Sequence, residues 1–262
     1  MALDIDRYST VDSPIRRWDP RYKTASLGLL IVTIALLKSI PAAVFALLVA
    51  AAILASSSLP LHFISHGLSF ILVFLVPFFF IMPFSYPGEA AYKILGLSFA
   101  WEGLRYATLI FTKALAIVLL SFSIFGSSRF DVSMIALQKL RCPRVLVQML
   151  LFTYRYTFVF LEEMQRMHTS MLARGFVAHA NMQTLRTYGN FVGTLLIRSF
   201  ERTDRVYKAM LSKGYQGELH TMVKFKASSY DYLKMLVILG VAIALLVVDH
   251  GGWFQAAEQG WY

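Results

Sequence analysis

Residues 39–88 read SIPAAVFALLVAAAILASSSLPLHFISHGLSFILVFLVPFFFIMPFSYPG, fifty consecutive positions without Asp, Glu, Lys or Arg. A helix crosses the hydrocarbon of a bilayer with about 20 apolar residues, so two spans fit in this stretch. Pro41 stands where a helix can start, and the run 42–55 ends in Ser56, Ser57, Ser58 and Pro60. The next run, 67–84, carries Pro77 and Pro83, which are expected to kink or end it because proline removes a helix hydrogen bond.

Outward from this stretch the same pattern repeats. Residues 24–37 are uncharged between Lys23 and Lys38, whose long stems can reach the two headgroup layers. With the run 42–55 they predict a tight helical hairpin. Further spans are predicted over 106–125 and 233–248, the last stopped by Asp249, Gly251 and Gly252. The chain is 57% hydrophobic and 15% charged, against about 25% charged in a soluble domain. The expected fold is therefore an all-α membrane protein with about five transmembrane helices and long cytoplasmic helices.

Basic loops stay in the cytoplasm. Residues 1–23 hold Arg7, Arg16, Arg17, Arg21 and Lys23, and residues 127–231 hold 15 of the 25 basic residues against seven acids. The stretch 249–262 holds two acids, Asp249 and Glu258, together with Trp253 and Trp261, and no Lys or Arg. The predicted layout is a cytoplasmic segment 1–23, helices 1–4 within 24–126, a cytoplasmic region 127–231, helix 5 within 232–249 and an external tail 250–262. The polar start, with Asp4, Asp6, Asp12, Asp19, Pro14 and Pro20, does not read as a cleavable signal peptide. The net charge of +10 is explained by a membrane surface and not by nucleic acid, since no nucleic-acid-binding motif organises it. Cys142 stands alone and reads as structural.

Region 127–231 is too long for a simple loop and its pattern is helical. Asp131 is placed to cap a short helix to about Leu140. Pro143 opens a second helix reaching Arg174, about 45 Å at 1.5 Å per residue. Its first half, 145–161, is membrane-like with Arg155 as the only charge, and its second half turns polar at Glu162 and Glu163. A third helix, 185–213, is amphipathic: Leu196, Phe200, Thr203, Tyr207 and Met210 share one face, and Arg198, Arg202 and Arg205 lie nearly opposite.

Shifting the sequence by 39 residues lays 162–176 on 201–215, with Glu, Arg, Met, Leu and Gly coincident. The copies end in Met171-Leu172-Ala173-Arg174-Gly175-Phe176 and Met210-Leu211-Ser212-Lys213-Gly214-Tyr215. A single copy is an ordinary helix stop, with glycine in the left-handed conformation and a base at the negative end of the dipole. Two copies build two tips, each with an apolar pair, a cation and an aromatic, suited to two equivalent acidic grooves on a dimeric or pseudo-symmetric partner. This reading rests on Gly175 and Gly214 lying close together on the cytoplasmic side, and tips far apart would count against it.

At these residues the chain resembles the transmembrane T component of energy-coupling factor transporters, marked by two Ala-Arg-Gly-type motifs on cytoplasmic coupling helices. Ala173-Arg174-Gly175 matches in full, whereas Ser212-Lys213-Gly214 substitutes Ser and Lys. Residues 13–23, SPIRRWDPRYK, are similar to the opening of the cobalt-type, CbiQ-like branch. The resemblance implies a non-catalytic scaffold that binds two ATPase subunits through Arg174 and Lys213. It also implies a membrane substrate-capture subunit that holds cobalt ion, with room for a small accessory membrane subunit. The chain would bind no cofactor itself, ATP and Mg²⁺ residing on the ATPases, and would sit multi-pass in the cytoplasmic membrane with its N-terminus inside. Nickel or a vitamin fits nearly as well as cargo.

Other residues carry weaker signals. His62 and His66 are four apart, but no third ligand lies nearby in sequence, so an interface or loop role is expected. Lys113 falls mid-span, where an ionisable group is costly, and is expected to pair within the bundle or face a partner. No Gly-Lys-Ser/Thr phosphate loop, Gly-x-Ser-x-Gly elbow or His-Glu-x-x-His helix occurs. An intramembrane enzyme, the alternative from another class, would need a base paired with a nucleophile at core depth, and the spans offer serines without one.

Overall fold

Asp19 and Pro20 start the first helix together. The Asp19 carboxylate accepts the Arg21 backbone N–H at 2.9 Å, and the proline has no N–H to leave unpaired in the first turn. The computed structural model describes residues 13–85, 92–94, 97–99, 101–217, 225 and 227–250. Within them run α1 (Pro20–Leu36), α2 (Ile40–Ser56), α3 (Leu61–Ser85), α4 (Trp101–Gly126), α5 (Phe130–Lys139), α6 (Arg144–Ala173), α7 (Met182–Ser212) and α8 (Ser229–His250). Two three-residue strands, Tyr92–Ile94 and Leu97–Phe99, form an antiparallel hairpin between α3 and α4. The rest of the described secondary structure is helical, as an all-α membrane protein requires. By length and composition His62–Phe84, Trp101–Gly126, Arg144–Ala173 and Ser229–Asp249 are long and apolar enough to cross a membrane, and Ile40–Ser56 is apolar but shorter.

The described residues divide into two compact units, one within 13–140 and 225–250, called here the bundle, and one within 141–217, the arms. In the bundle α1, α2 and α3 all pack on α4, and α1 also packs on α5 and α8. Ala42, Ala46 and Ala50, one turn apart on α2, are buried, as are Gly103, Ala107, Ala116, Leu120 and Ser123 on α4. Small side chains let helix backbones approach closely, which is how helices associate where lipid removes the hydrophobic drive. On the other side of α4, a Cβ on Gly67 of α3 would stand 2.6 Å from Phe122 Cζ, so a side chain there would force the ring aside. Leu27, Leu30 and Ile34 of α1, with Ala242 and Leu245 of α8, complete the core.

Several expectations are corrected here. No tight α1–α2 hairpin forms: Leu37 and Ser39 are extended (ψ 144° and 141°), and α2 packs on α4 whereas α1 packs on α8, α4 and α5. The described part of α8 reaches His250, just before Gly251, and Asp249 does more than mark that end. It lies within the helix and its carboxylate accepts the Lys38 and Ser39 backbone N–H groups at 2.8–3.2 Å, which fills the α1–α2 turn. Pro77 and Pro83 both stand inside α3, which is described to Ser85, so Pro77 does not end it. That helix also begins at Leu61, so His62 and His66 are helical and not in a loop. Asp131 does not cap α5: Arg129 is the N-cap, and Asp131 lies in the first turn, paired with Arg129 at 3.1 Å. The tail 251–262, with Trp253 and Trp261, and Arg7 of the leading segment lie outside the described residues.

Candidate docking site

The α6 and α7 helices are 30 and 31 residues long, and each ends in the repeated motif. In the first copy the Gly175 N–H donates to the Leu172 carbonyl at 2.9 Å and the Phe176 N–H to the Met171 carbonyl at 3.2 Å. The second copy repeats these bonds from Gly214 to Leu211 at 2.9 Å and from Tyr215 to Met210 at 3.0 Å. This is a Schellman closure, which satisfies the last carbonyls of a helix by turning the chain through the left-handed region. Gly175 (φ +78°) and Gly214 (φ +82°) occupy that region, where a Cβ would be strained although open space surrounds it.

The two tips also match in exposure. Met171 and Met210 are half-buried, as are Phe176 and Tyr215, while Leu172, Ala173, Arg174, Leu211, Ser212 and Lys213 are exposed. The Arg174 and Lys213 side chains make no ion pair among the described residues. Each tip thus presents an outward leucine and a cation on a base closed by its own cap.

Three contacts fix the direction of the arms. Phe176 meets Tyr188 edge-on with ring centroids 5.6 Å apart, the Arg198 guanidinium donates to the Glu163 carboxylate, and the Tyr215 hydroxyl donates to Gln148 Oε1 at 3.1 Å. Positions on α6 therefore rise as those on α7 fall, and the helices are antiparallel. Gln148 Nε2 adds a bond to the Gly217 carbonyl at 3.1 Å. The second tip lies beside Gln148 and the first follows Ala173 of the same helix, a separation of about 38 Å at 1.5 Å per residue. This overturns the expectation that the tips lie close together. The connection 174–181 is short, ended by the Asn181 cap that accepts the Thr184 N–H at 2.8 Å, and such a turn must reverse the chain. One small cleft cannot receive both tips.

Sequence reading did not single out Gln148 or Tyr188, nor pair Glu163 with Arg198, because each contact joins residues on different helices and leaves no local signature. The hydrogen bond from Arg198 chiefly holds the Glu163 carboxyl below its ordinary value; the Arg198, Arg202 and Arg166 charges add to it, and slight burial opposes.

The remaining candidates lie in the bundle. The Lys113 ammonium donates to the Leu37 carbonyl at 2.7 Å, so it pairs inside the bundle at the end of α1. His62 and His66 sit one turn apart on α3, and no group of three His, Cys, Asp or Glu is assembled among the described residues. Cys142 is a free, half-buried thiol.

Comparison with known proteins gives consistent results. The family model CbiQ, cobalt transport protein, matches residues 12–225. The energy-coupling factor transporter transmembrane protein EcfT of Heliobacterium modesticaldum is 23% identical over 255 residues, covering 93% of this chain and 96% of its own. The cobalt transport protein CbiQ of Rhodobacter capsulatus is 31% identical over 108 residues, 41% of this chain and 43% of its own. A putative fused cobalt transport protein CbiMQ of Methanocorpusculum labreanum is 29% identical over 82 residues, 31% of this chain and 13% of its own.

Proposed function

Since this chain belongs to the CbiQ family of cobalt transport proteins, we propose that its two helix tips dock one each into two ATPase subunits and couple their motion to uptake of cobalt ion. It is a multi-pass membrane component of an energy-coupling-factor-type transporter. The observation that carries the proposal is the same closed cap, with the same outward leucine and cation, at both ends of one antiparallel pair. Two like tips about 38 Å apart suit two like subunits better than one cleft. The chain sits in the cytoplasmic membrane, with its N-terminus and the region 127–231 in the cytoplasm.

Arg174 and Lys213 supply the docking charges, Leu172 and Leu211 the apolar contact, and Gly175 and Gly214 the turn that presents them. Lys213 gives a point charge where Arg174 can form a planar two-bond contact, so the two docks differ in strength. ATP and Mg²⁺ are held by the ATPases, and cobalt by a membrane capture subunit; the similarity to a putative fused cobalt transport protein supports cobalt as the cargo. The EcfT relative, alike over nearly its whole length, favours a second reading in which the cargo is set by another capture subunit.

Co-purification of the ATPases with Arg174→Glu and Lys213→Glu tests the docking. Each reversal turns a charge-assisted contact into repulsion and is expected to weaken association by about tenfold or more, Arg174→Glu the more strongly. Wild-type association in both would refute it.

A further inference from the structure

The chain passes between the units twice, leaving the bundle after Leu140 and returning before Phe225. Within the bundle, the first turn of α1 holds the chain on either side of these passages, at the α4–α5 corner that precedes Leu140 and at Phe225. On one side the Lys23 ammonium, 1% exposed, donates to the Ser127 hydroxyl at 3.1 Å and to the Ser128 hydroxyl, at the corner between α4 and α5. The α5 helix beyond that corner packs on α1 and ends at Leu140. On the other side the Arg21 guanidinium stands 5.1 Å from the Phe225 ring centroid and 5.5 Å from that of Tyr22. Arg21 is itself gripped at two points by Asp19, at 3.1 and 2.8 Å. The Tyr22 hydroxyl bonds that of Tyr232 on α8 at 2.8 Å, and the Lys234 ammonium donates to the Pro14 carbonyl at 3.3 Å.

Lys23 is an expensive residue for this place. It precedes the apolar stretch 24–37 and is met by hydroxyls, with no carboxylate bonded to it among the described residues. Burial alone pushes its ammonium down to about 8. A methionine of similar length would fill the volume without desolvating a charge, so packing stability does not call for lysine here. What the lysine supplies is direction: two hydrogen bonds that fix the α4–α5 corner to the α1 first turn.

We infer that this collar is the joint through which arm movement enters the bundle, with Lys23 as its positioning residue. The inference rests on the docking of the arms to the ATPases proposed above. The test is uptake of cobalt(II) per ATP hydrolysed, with the chain, its ATPases and its capture subunit reconstituted together in vesicles. Lys23→Met is expected to retain the ATPases and their hydrolysis while uptake per ATP falls about tenfold or more, a ratio that mere loss of folded protein does not change. Tyr22→Phe removes one bond of the same collar at an exposed site and is expected to lower the ratio about threefold. A wild-type ratio in assembled Lys23→Met, or in Tyr22→Phe should Lys23→Met fail to assemble, overturns the joint alone. Failure of the wild-type chain to retain ATPases would overturn the docking reading, and the joint with it.

Discussion

The bundle and the arms are built on opposite plans. In the bundle α1, α2 and α4 each bury a row of side chains, and Leu27, Leu30, Ile34, Ala43, Ala50, Ala116 and Leu120 have no appreciable exposure. In the arms α7 buries none and α6 only Val147. Leu185, Val192, Leu196 and Phe200 stand 51–78% exposed along one side of α7. The contrast teaches that the bundle closes on itself, whereas the arms spend their length on reach. Their order comes from backbone bonds, end caps and a few cross-links, and each of those can be removed without touching a core.

Overpacking the bundle is expected to produce the largest change in stability. Ala46, 1% exposed on the face of α2 that meets α4, leaves no room for a larger side chain. Ala46→Leu is expected to cost about 1–3 kcal/mol, read as a lower thermal unfolding midpoint in detergent, while folded protein still binds ATPases normally. Unchanged unfolding would mean the small-residue seam is looser than the packing indicates.

The arms should behave in the reverse way. Gly175→Val and Gly214→Val place a Cβ at φ near +80°, a strain of about 1–2 kcal/mol confined to a helix end. The bundle midpoint is expected to hold, while ATPase co-purification drops several-fold as the tip frays. A bundle destabilised as much as by Ala46→Leu would erase the distinction between the two regions.

The same distinction explains what could be read from the sequence. Schellman ends need only six contiguous residues, so 171–176 and 210–215 were legible as tips, and Pro143 marked the start of α6 within one residue. Apolar runs located the cores of α2, α3, α4 and α8 because periodicity and composition are local. Their relations were not legible. Asp249 reaches Lys38 and Ser39 across 210 or so positions, and Lys113 reaches Leu37 across 76. A carboxylate beside two glycines looks like a helix stop until the neighbouring turn is seen to need an acceptor. Likewise the repeat disclosed two similar ends without their spacing, which depends on the chain reversal at 174–181 and on Tyr188 and Gln148 as the surfaces that receive the aromatics.

The smallest effect is expected at the Glu163–Arg198 bond, the one ion pair joining α6 to α7 among the described residues. Arg198 is half exposed, so solvent screens most of the attraction and little stability depends on it. Its role is registration at mid-length, with Phe176–Tyr188 and Tyr215–Gln148 holding the two ends. The Glu163 carboxyl is held below its ordinary value in the folded protein, so the pair is fully formed at neutral pH and is lost only as acid carries the pH through that lowered value. Spin labels at the exposed positions Ser170 and Asn190 would report the spacing of the arms. Glu163→Gln at neutral pH should give the broadened distance distribution that the wild-type arms reach only in acid, and should itself be insensitive to pH in that range. A narrow, wild-type distribution in Glu163→Gln would mean the end contacts alone set the register, leaving the arms tied at their tips and free between them.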